Sequence, residues 1–253
     1  MVNTVTRLSE PYENFLLRPP SAGPGVCATC WRDVASGTHC DRCREHVAAA
    51  PHLLADVVVP IALAVSGKQF ADELGQYKNS RRHDVRRRLG LGLAAVAERF
   101  TATHETCLAG AGRFDIVTTV PSARGRAPHP LATIVGRTMS TTRERYRALL
   151  EPGSRTAAGR TFAVDRFTCS EPLSGRRVLL VDDTWTTGAS AQSAAAALRL
   201  AGASTVATLV LGRRFDVEFQ PELSARYLAR AGARRFDWET CCLCQEPSGW
   251  PNA

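Results

Sequence analysis

Two stretches of this chain hold residues of a type and spacing that can do chemistry. The first is VLLVDDTWTTGAS, residues 178–190, in which four apolar residues run into two adjacent carboxylates, Asp182 and Asp183, and then into a hydroxyl-rich turn. Paired acids offer hydrogen-bond acceptors to a ligand's hydroxyl groups. Thr186, Thr187 and Ser190 add hydroxyl donors, and Gly188 permits a close backbone approach. If this turn opens a helix, its free N–H groups form a cradle for an anion. A ligand carrying both sugar hydroxyls and a phosphate suits the two halves together. A magnesium site or a helix cap is the plainer use of the same acids.

The second stretch is VCATCWRDVASGTHCDRC, where Cys27, Cys30, Cys40 and Cys43 form C-x2-C-x9-C-x2-C. Two turn-borne thiol pairs at this spacing close a tetrahedral site, so a structural zinc ion is expected, with metal supplying much of the segment's folding free energy. Redox use of either pair would call for a strand-to-helix setting that the surrounding sequence lacks. Cys107 and Cys169 read as small buried residues. Cys241, Cys242 and Cys244, in CCLC, leave three readings open: a second metal site with an unidentified partner, replacement of a ligand of the first site, or packing.

The elements that must position these groups follow from period and punctuation. VVVPIALAV (57–65) and FDIVTTVP (114–121) are β-rich apolar runs, the second stopped by proline as a buried parallel strand would be. SRRHDVRRRLGLGLAAVAERFTATHETCLAG has apolar residues at helical spacing and ends at glycine. HPLATIVGRTM reads as a helix. RVLLVDD, AQSAAAALRLAG and STVATLVLGRR form a strand, helix and strand of a length suited to a parallel crossover. The expected class is α/β with a central, mainly parallel sheet. In such sheets ligands sit beyond the carboxyl ends of the strands, which is where both acids would face a crevice. Residues 1–24 read as an extension, 25–48 as the zinc module, 49–220 as the sheet domain and 221–253 as a C-terminal helix with a cysteine-containing tail. Between about 140 and 175 the chain turns polar, and TFAVDRF (161–167) is its one strand candidate.

Composition bounds the rest. The 253 residues suffice for one sizeable α/β domain with a small appendage, and 44% hydrophobic with 22% charged residues is ordinary for a soluble globular chain. The longest apolar run is too short to cross a bilayer and the N-terminus lacks a signal-peptide core, so no membrane association and a cytoplasmic location are expected. The formal charge of +8 is carried almost wholly by arginine, Lys68 and Lys78 being the two lysines. Residues 79–90, NSRRHDVRRRLG, concentrate it. They read as a solvated helix start or as a contact for a polyanion.

The 178–190 string resembles the ribose-5-phosphate-binding signature of the type I phosphoribosyltransferases. That resemblance implies that Asp182 and Asp183, the candidate catalytic pair, hold the ribose hydroxyls of phosphoribosyl pyrophosphate (PRPP), and that residues 184–190 (Thr184, Thr186, Thr187, Gly188, Ala189 and Ser190 among them) hold its 5′-phosphate. The order of a cysteine-rich N-terminal module, a Tyr77–Lys78 pair, a strand ending in Val120–Pro121 followed by Arg124 and Arg126, and then the signature resembles the ComF/GntX group of competence-associated proteins. The resemblance covers about residues 25–215. It implies a pyrophosphate loop at Pro121, Ser122 and Arg124, a phosphate contact at Lys78, Mg²⁺ accompanying PRPP, and a closing loop over about 140–170. GRAPHPLA stands where that group carries an RGFNQ-like stretch, and its arginine-asparagine element is not recognisable in GSRTAAGRTF.

The implied reaction is displacement of pyrophosphate from ribose C1 by an acceptor, through a transition state with oxocarbenium character. It asks the protein for positioning and charge stabilisation, not for a nucleophilic side chain. Three function classes stand: a phosphoribosyltransferase with an unidentified acceptor, a PRPP- or nucleotide-binding protein without turnover, and a competence or DNA-uptake partner that contacts nucleic acid or protein. The oligomeric state stays open.

Overall fold

The computed structural model describes residues 3–122, 129–153 and 160–244. In chain order these form α1 (Thr4–Ser9) with a 3-10 turn (Glu10–Asn14), α2 (Asp41–Ala49), β1 (Val57–Val65), α3 (Gln69–Asn79) and α4 (His83–Ala109). Then come β2 (Ile116–Thr119), α5 (Pro130–Thr133) with a π turn (Ile134–Thr138), β3 (Leu150–Pro152), β4 (Phe167–Cys169), β5 (Arg177–Trp185), α6 (Ala189–Leu200), β6 (Thr205–Phe215) and α7 (Pro221–Gly232). Four strands build one parallel sheet in the order β1-β6-β5-β2, so the expected α/β class with a central parallel sheet is present. β3 and β4 pair separately as a short antiparallel ribbon.

Alternation along β5 assigns its two faces. Val178 and Leu180 enter one apolar cluster with α6 residues, whereas Leu179 and Val181 enter the other with α3 and α4. Continued by two residues, this period sends Asp183 toward the α3 side and Asp182 toward the α6 side. β1 tolerates Pro60 because it lies at the edge of the sheet, where one missing ladder donor costs little. The outer side of β1 is partly covered by the N-terminal segment, with Leu63 N–H donating to Leu17 O at 2.7 Å.

α4 lays Leu89, Leu93, Val96, Phe100, His104 and Leu108 along one buried stripe at three- and four-residue intervals, and Gly110, at φ 70°, follows its end. Two acids on the same helix hold the polar segment that follows α5. Glu98 accepts from the Ser140 hydroxyl and from Thr141 (Oγ1 2.7 Å), and Glu105 pairs with Arg145 (Nη2 to Oε2 3.0 Å). Residues 140–145 are therefore tethered to α4, and residues 154–159 of the expected closing loop lie outside the described residues. TFAVDRF is loop and turn up to residue 166, and the strand begins at Phe167, where pairing with β3 becomes available. HPLATIVGRTM makes only one α-helical turn before it widens, with Met139 N–H donating to Ile134 O across five residues at 3.0 Å.

The basic run 79–90 spans the last residue of α3, a short turn and the exposed start of α4. Its residues are exposed or half-buried apart from Leu89, Arg82 pairs with Asp84 at 2.7 Å, and Arg86 donates to Ser80 O at 2.6 Å. No helix among the described residues is long and apolar enough to cross a membrane.

Candidate functional site

The carboxyl ends of all four parallel strands open into one cavity of about 450 Å³. Ala64 comes from β1, Val120, Pro121 and Ser122 from beyond β2, Asp182, Asp183 and Thr184 from β5, and Arg214 from β6. α3 closes one side with Leu74 and Lys78, and Thr186 and Ser190 close another at the start of α6. This is where an open parallel sheet places a ligand.

The two acids occupy different environments. Asp183 is 4% exposed, accepts the Tyr77 hydroxyl hydrogen bond on one oxygen, and takes Lys78 Nζ on the other at 2.7 Å. Both acids line the cavity as expected, but the strand's period turns Asp183 onto α3, where it is buried and paired. Asp182 is half-buried at the cavity wall, and its Oδ1 accepts the backbone N–H of Asp183 at 2.9 Å. Burial, and secondly the neighbouring Asp183 charge, push the Asp182 carboxyl up to about 7. Asp183 is thus a fixed, charge-paired strut, and Asp182 is the carboxyl with acceptor capacity turned to the cavity.

The turn after β5 has its own internal logic. Gly188 adopts φ 82° as the residue preceding α6, and a Cβ there would overlap the Trp185 ring, so glycine is required by the packing of this loop as well as by any ligand. Thr187 Oγ1 accepts from Ala189 N–H at 3.4 Å and donates to Arg160 O at 3.1 Å. Thr186 and Ser190 face the cavity, while Thr187, Gly188 and Ala189 form the frame behind them. Arg166 donates to Ser190 Oγ at 3.2 Å, which sets a buried guanidinium beside the start of α6.

The Cys27, Cys30, Cys40 and Cys43 sulfurs all lie within 4.8 Å of one another, with Cys30 and Cys40 3.7 Å apart. Tetrahedral zinc with sulfur at 2.3 Å requires edges of about 3.8 Å, so this donor set fits a zinc ion. Hydrogen bonding from the other three cysteines draws the Cys27 thiol well below its ordinary range. The module is built into the main core rather than hung on it. Trp31, at φ 58°, donates its indole N–H to Val58 O of β1 at 2.6 Å, and its carbonyl accepts the Tyr227 hydroxyl of α7. Cys27, Cys30 and Cys43 share an apolar cluster with residues of β5, β6 and α6.

Arg213 joins this module to the cavity loop. Its guanidinium, on a residue 4% exposed, donates to Cys30 O at 3.1 Å and reaches Cys30 Sγ at 3.5 Å; it also donates to the carbonyls of Trp185 and Thr186, each at 3.1 Å. Burial opposes its charge, and the Cys30, Cys40 and Cys43 sulfurs together outweigh that cost, leaving its pKa above the ordinary value.

The structure therefore gathers Asp182, Asp183, Thr184, Thr186, Ser190, Pro121, Ser122 and Lys78 around one cavity. Arg124 and Arg126 lie outside the described residues. Sequence reasoning did not single out Arg213 and Arg214, although their basic pair at the end of a strand was the available signal. Tyr77 entered that reasoning only as half of a dipeptide, and nothing local revealed its partner 106 residues away.

No protein-family model matches this sequence, and no curated protein matches it. Among solved structures 11 chains match. One, described as the allosteric regulatory enzyme of purine biosynthesis, aligns over 59% of this chain and 40% of its own length, at 18% identity and a TM-score of 0.29. This chain thus spans less than half of that protein.

Proposed function

We propose that this chain is a phosphoribosyltransferase-like protein of the type I class that binds PRPP in the cavity beyond its strand ends and transfers the phosphoribosyl group to an acceptor. The observation carrying this reading is the meeting, in one cavity, of a half-buried carboxyl on β5 with the hydroxyl-lined start of α6. Asp182 accepts hydrogen bonds from the ribose hydroxyls. Thr184, Thr186, Ser190 and the free amides at the start of α6 receive the 5′-phosphate. Asp183, clamped by Tyr77 and Lys78, holds the strand end rigid so that the sugar is presented in one orientation. Pro121 and Ser122 line the side assigned to pyrophosphate, and Lys78 and Arg214 supply positive charge near it.

Mg²⁺ bound with PRPP would offset the charge of the pyrophosphate, and the oxygen donors at the cavity wall, Asp182 foremost, would suit such a hard cation. Zinc is assigned to Cys27, Cys30, Cys40 and Cys43, where it anchors Cys30 and, through Arg213, the turn that carries Thr186. The acceptor is an unidentified small nucleophile that enters this polar cavity, where Lys78 and Arg214 stand against Asp182 and Asp183.

The test is pyrophosphate release from Mg²⁺-PRPP across a panel of purine and pyrimidine bases and small amines, with mass detection of the ribosylated product. Release that requires both an acceptor and Asp182 supports transfer. Saturable PRPP binding with no product from any acceptor replaces transfer by a binding role, and absence of PRPP binding removes the reading altogether.

A further inference from the structure

The three C-terminal cysteines bear directly on a second metal site. His104 and Cys107 lie three residues apart on α4 and so share one face of the helix. Cys241 and Cys244 lie in the tail that follows α7, more than 130 residues further along the chain. Folding brings the four donor atoms together, all within 4.8 Å of one another. The Cys241 and Cys244 sulfurs are 3.4 Å apart, and His104 Nδ1 lies 3.7 Å from Cys107 Sγ and 3.8 Å from Cys244 Sγ. These separations are close to the edge of about 3.8 Å that tetrahedral zinc imposes on sulfur ligands.

The surroundings complete the set. His104 Nε2 is 2.9 Å from the carbonyl oxygen of Trp238, which can only accept, so the proton sits on Nε2 and the Nδ1 lone pair faces the sulfurs. Cys241 N–H donates to Cys244 Sγ at 3.1 Å, as a backbone amide does to a metal-bound thiolate. Cys242, between them, is buried in the apolar core and is not among the four clustered donors. Three soft thiols and an imidazole are a donor set for zinc in preference to magnesium or calcium.

We propose that His104, Cys107, Cys241 and Cys244 form a second, Cys3His zinc site that fastens the C-terminal tail to the end of α4. The site is independent of the PRPP reading. Its consequence is architectural and reaches the other terminus. The fastened tail carries Phe236 and Trp238 into the α4 core, pairs Asp237 with Arg18 at 2.7 Å, and gives Glu13 the Trp238 indole N–H. One ion would thus hold the N-terminal segment, α4 and the tail in register.

The experiment uses untagged full-length protein purified without chelators. Elemental analysis is expected to find about two zinc per chain, and X-ray absorption at the zinc edge is expected to show a mixed sulfur and nitrogen shell. The nitrogen scatterer is decisive in the wild type alone, because the four-cysteine site offers none. In Cys107→Ser/Cys244→Ser the metal content should fall to about one per chain and the shell should become all sulfur. One zinc with an all-sulfur shell in the wild type would overturn the proposal, as would a doubly substituted protein that keeps both ions. A Cys241–Cys244 disulfide in freshly purified, reduced-handled protein would also overturn it.

Discussion

Asparagine placed singly at Asp182 and at Asp183 is expected to move stability in opposite directions, although the two residues are adjacent and chemically identical. The Asp182 carboxyl is raised from 3.8 to about 7 in the folded chain, first by burial and then by the Asp183 charge. A group that binds its proton more tightly when folded contributes stability that is fully present below its unfolded pKa and is lost as pH climbs through the folded value. At about 1.4 kcal/mol per pKa unit the full loss above neutrality would be ~4 kcal/mol, and the half-buried position on a cavity open to solvent reduces it to ~2 kcal/mol. Asp182→Asn removes the charge and with it that loss. At pH 8 its Tm should exceed the wild type's by about 4 to 8 °C, given roughly 2 to 4 °C per kcal/mol for a chain of this size, and at pH 4 the two should coincide. Asp183→Asn deprives Lys78 of its buried counter-charge and weakens the Tyr77 hydrogen bond, a loss of about 1.5 to 3 kcal/mol. Part of that is offset because the Asp183 charge is itself one cause of the Asp182 shift. Its Tm should still fall at pH 8. Scanning calorimetry at the two pH values reads both effects, and a lower Tm for Asp182→Asn at pH 8, or equal shifts for the two variants, would refute the assignment of strut and ligand acid.

Arg213→Met should lower both Tm and PRPP affinity even though Arg213 does not line the cavity, since the carbonyls of Cys30, Trp185 and Thr186 lose their donor. Phe100→Leu, a core control with a comparable Tm loss, should leave affinity unchanged; equal losses of affinity in both would break the proposed link. Gly188→Ala should destabilise the fold itself by at least ~1 kcal/mol, because φ 82° and the Trp185 ring both oppose a Cβ, and an unchanged Tm would contradict this packing. Cys27→Ser with Cys40→Ser should strip zinc from the first site and lower Tm by many degrees, measured by elemental analysis and calorimetry; an unchanged Tm would make that ion dispensable.

Much of the sheet was legible because its strands are short apolar runs punctuated by proline, glycine and the acidic pair. VVVPIALAV became β1 over the same nine residues, and the carboxyl-end rule placed Asp182 and the turn bearing Thr186 at a ligand crevice, whereas Pro121 and Lys78 were implied by the family resemblance alone. What stayed hidden depends on partners distant in the chain. The period of β5 distinguishes the faces of Asp182 and Asp183, but only the packing of α3 reveals that Asp183 is paired with Tyr77 and Lys78 while Asp182 keeps acceptor capacity at the cavity wall. Glu98 and Glu105 gave no local signal, yet they tether residues 140–145, the first six of the segment of about thirty read as a closing loop. His104 sits in a helix whose pattern is fully explained by core packing, so nothing in its neighbourhood announced that it meets Cys241 and Cys244. The four-cysteine spacing was readable because both thiol pairs are local; the mixed cluster was not, because its two pairs lie more than 130 residues apart in the chain.

The most direct measurement of the central claim is a calorimetric titration of Mg²⁺-PRPP into wild-type protein and Asp182→Asn at pH 8 and fixed ionic strength. The account predicts saturable binding near one PRPP per chain in the wild type and a loss of roughly 10- to 150-fold in Asp182→Asn, the equivalent of one charge-assisted hydrogen bond. Wild-type affinity should also fall as pH drops below about 7, where the Asp182 carboxyl takes up its proton. No binding by the wild type, or the same affinity in the variant, would contradict it.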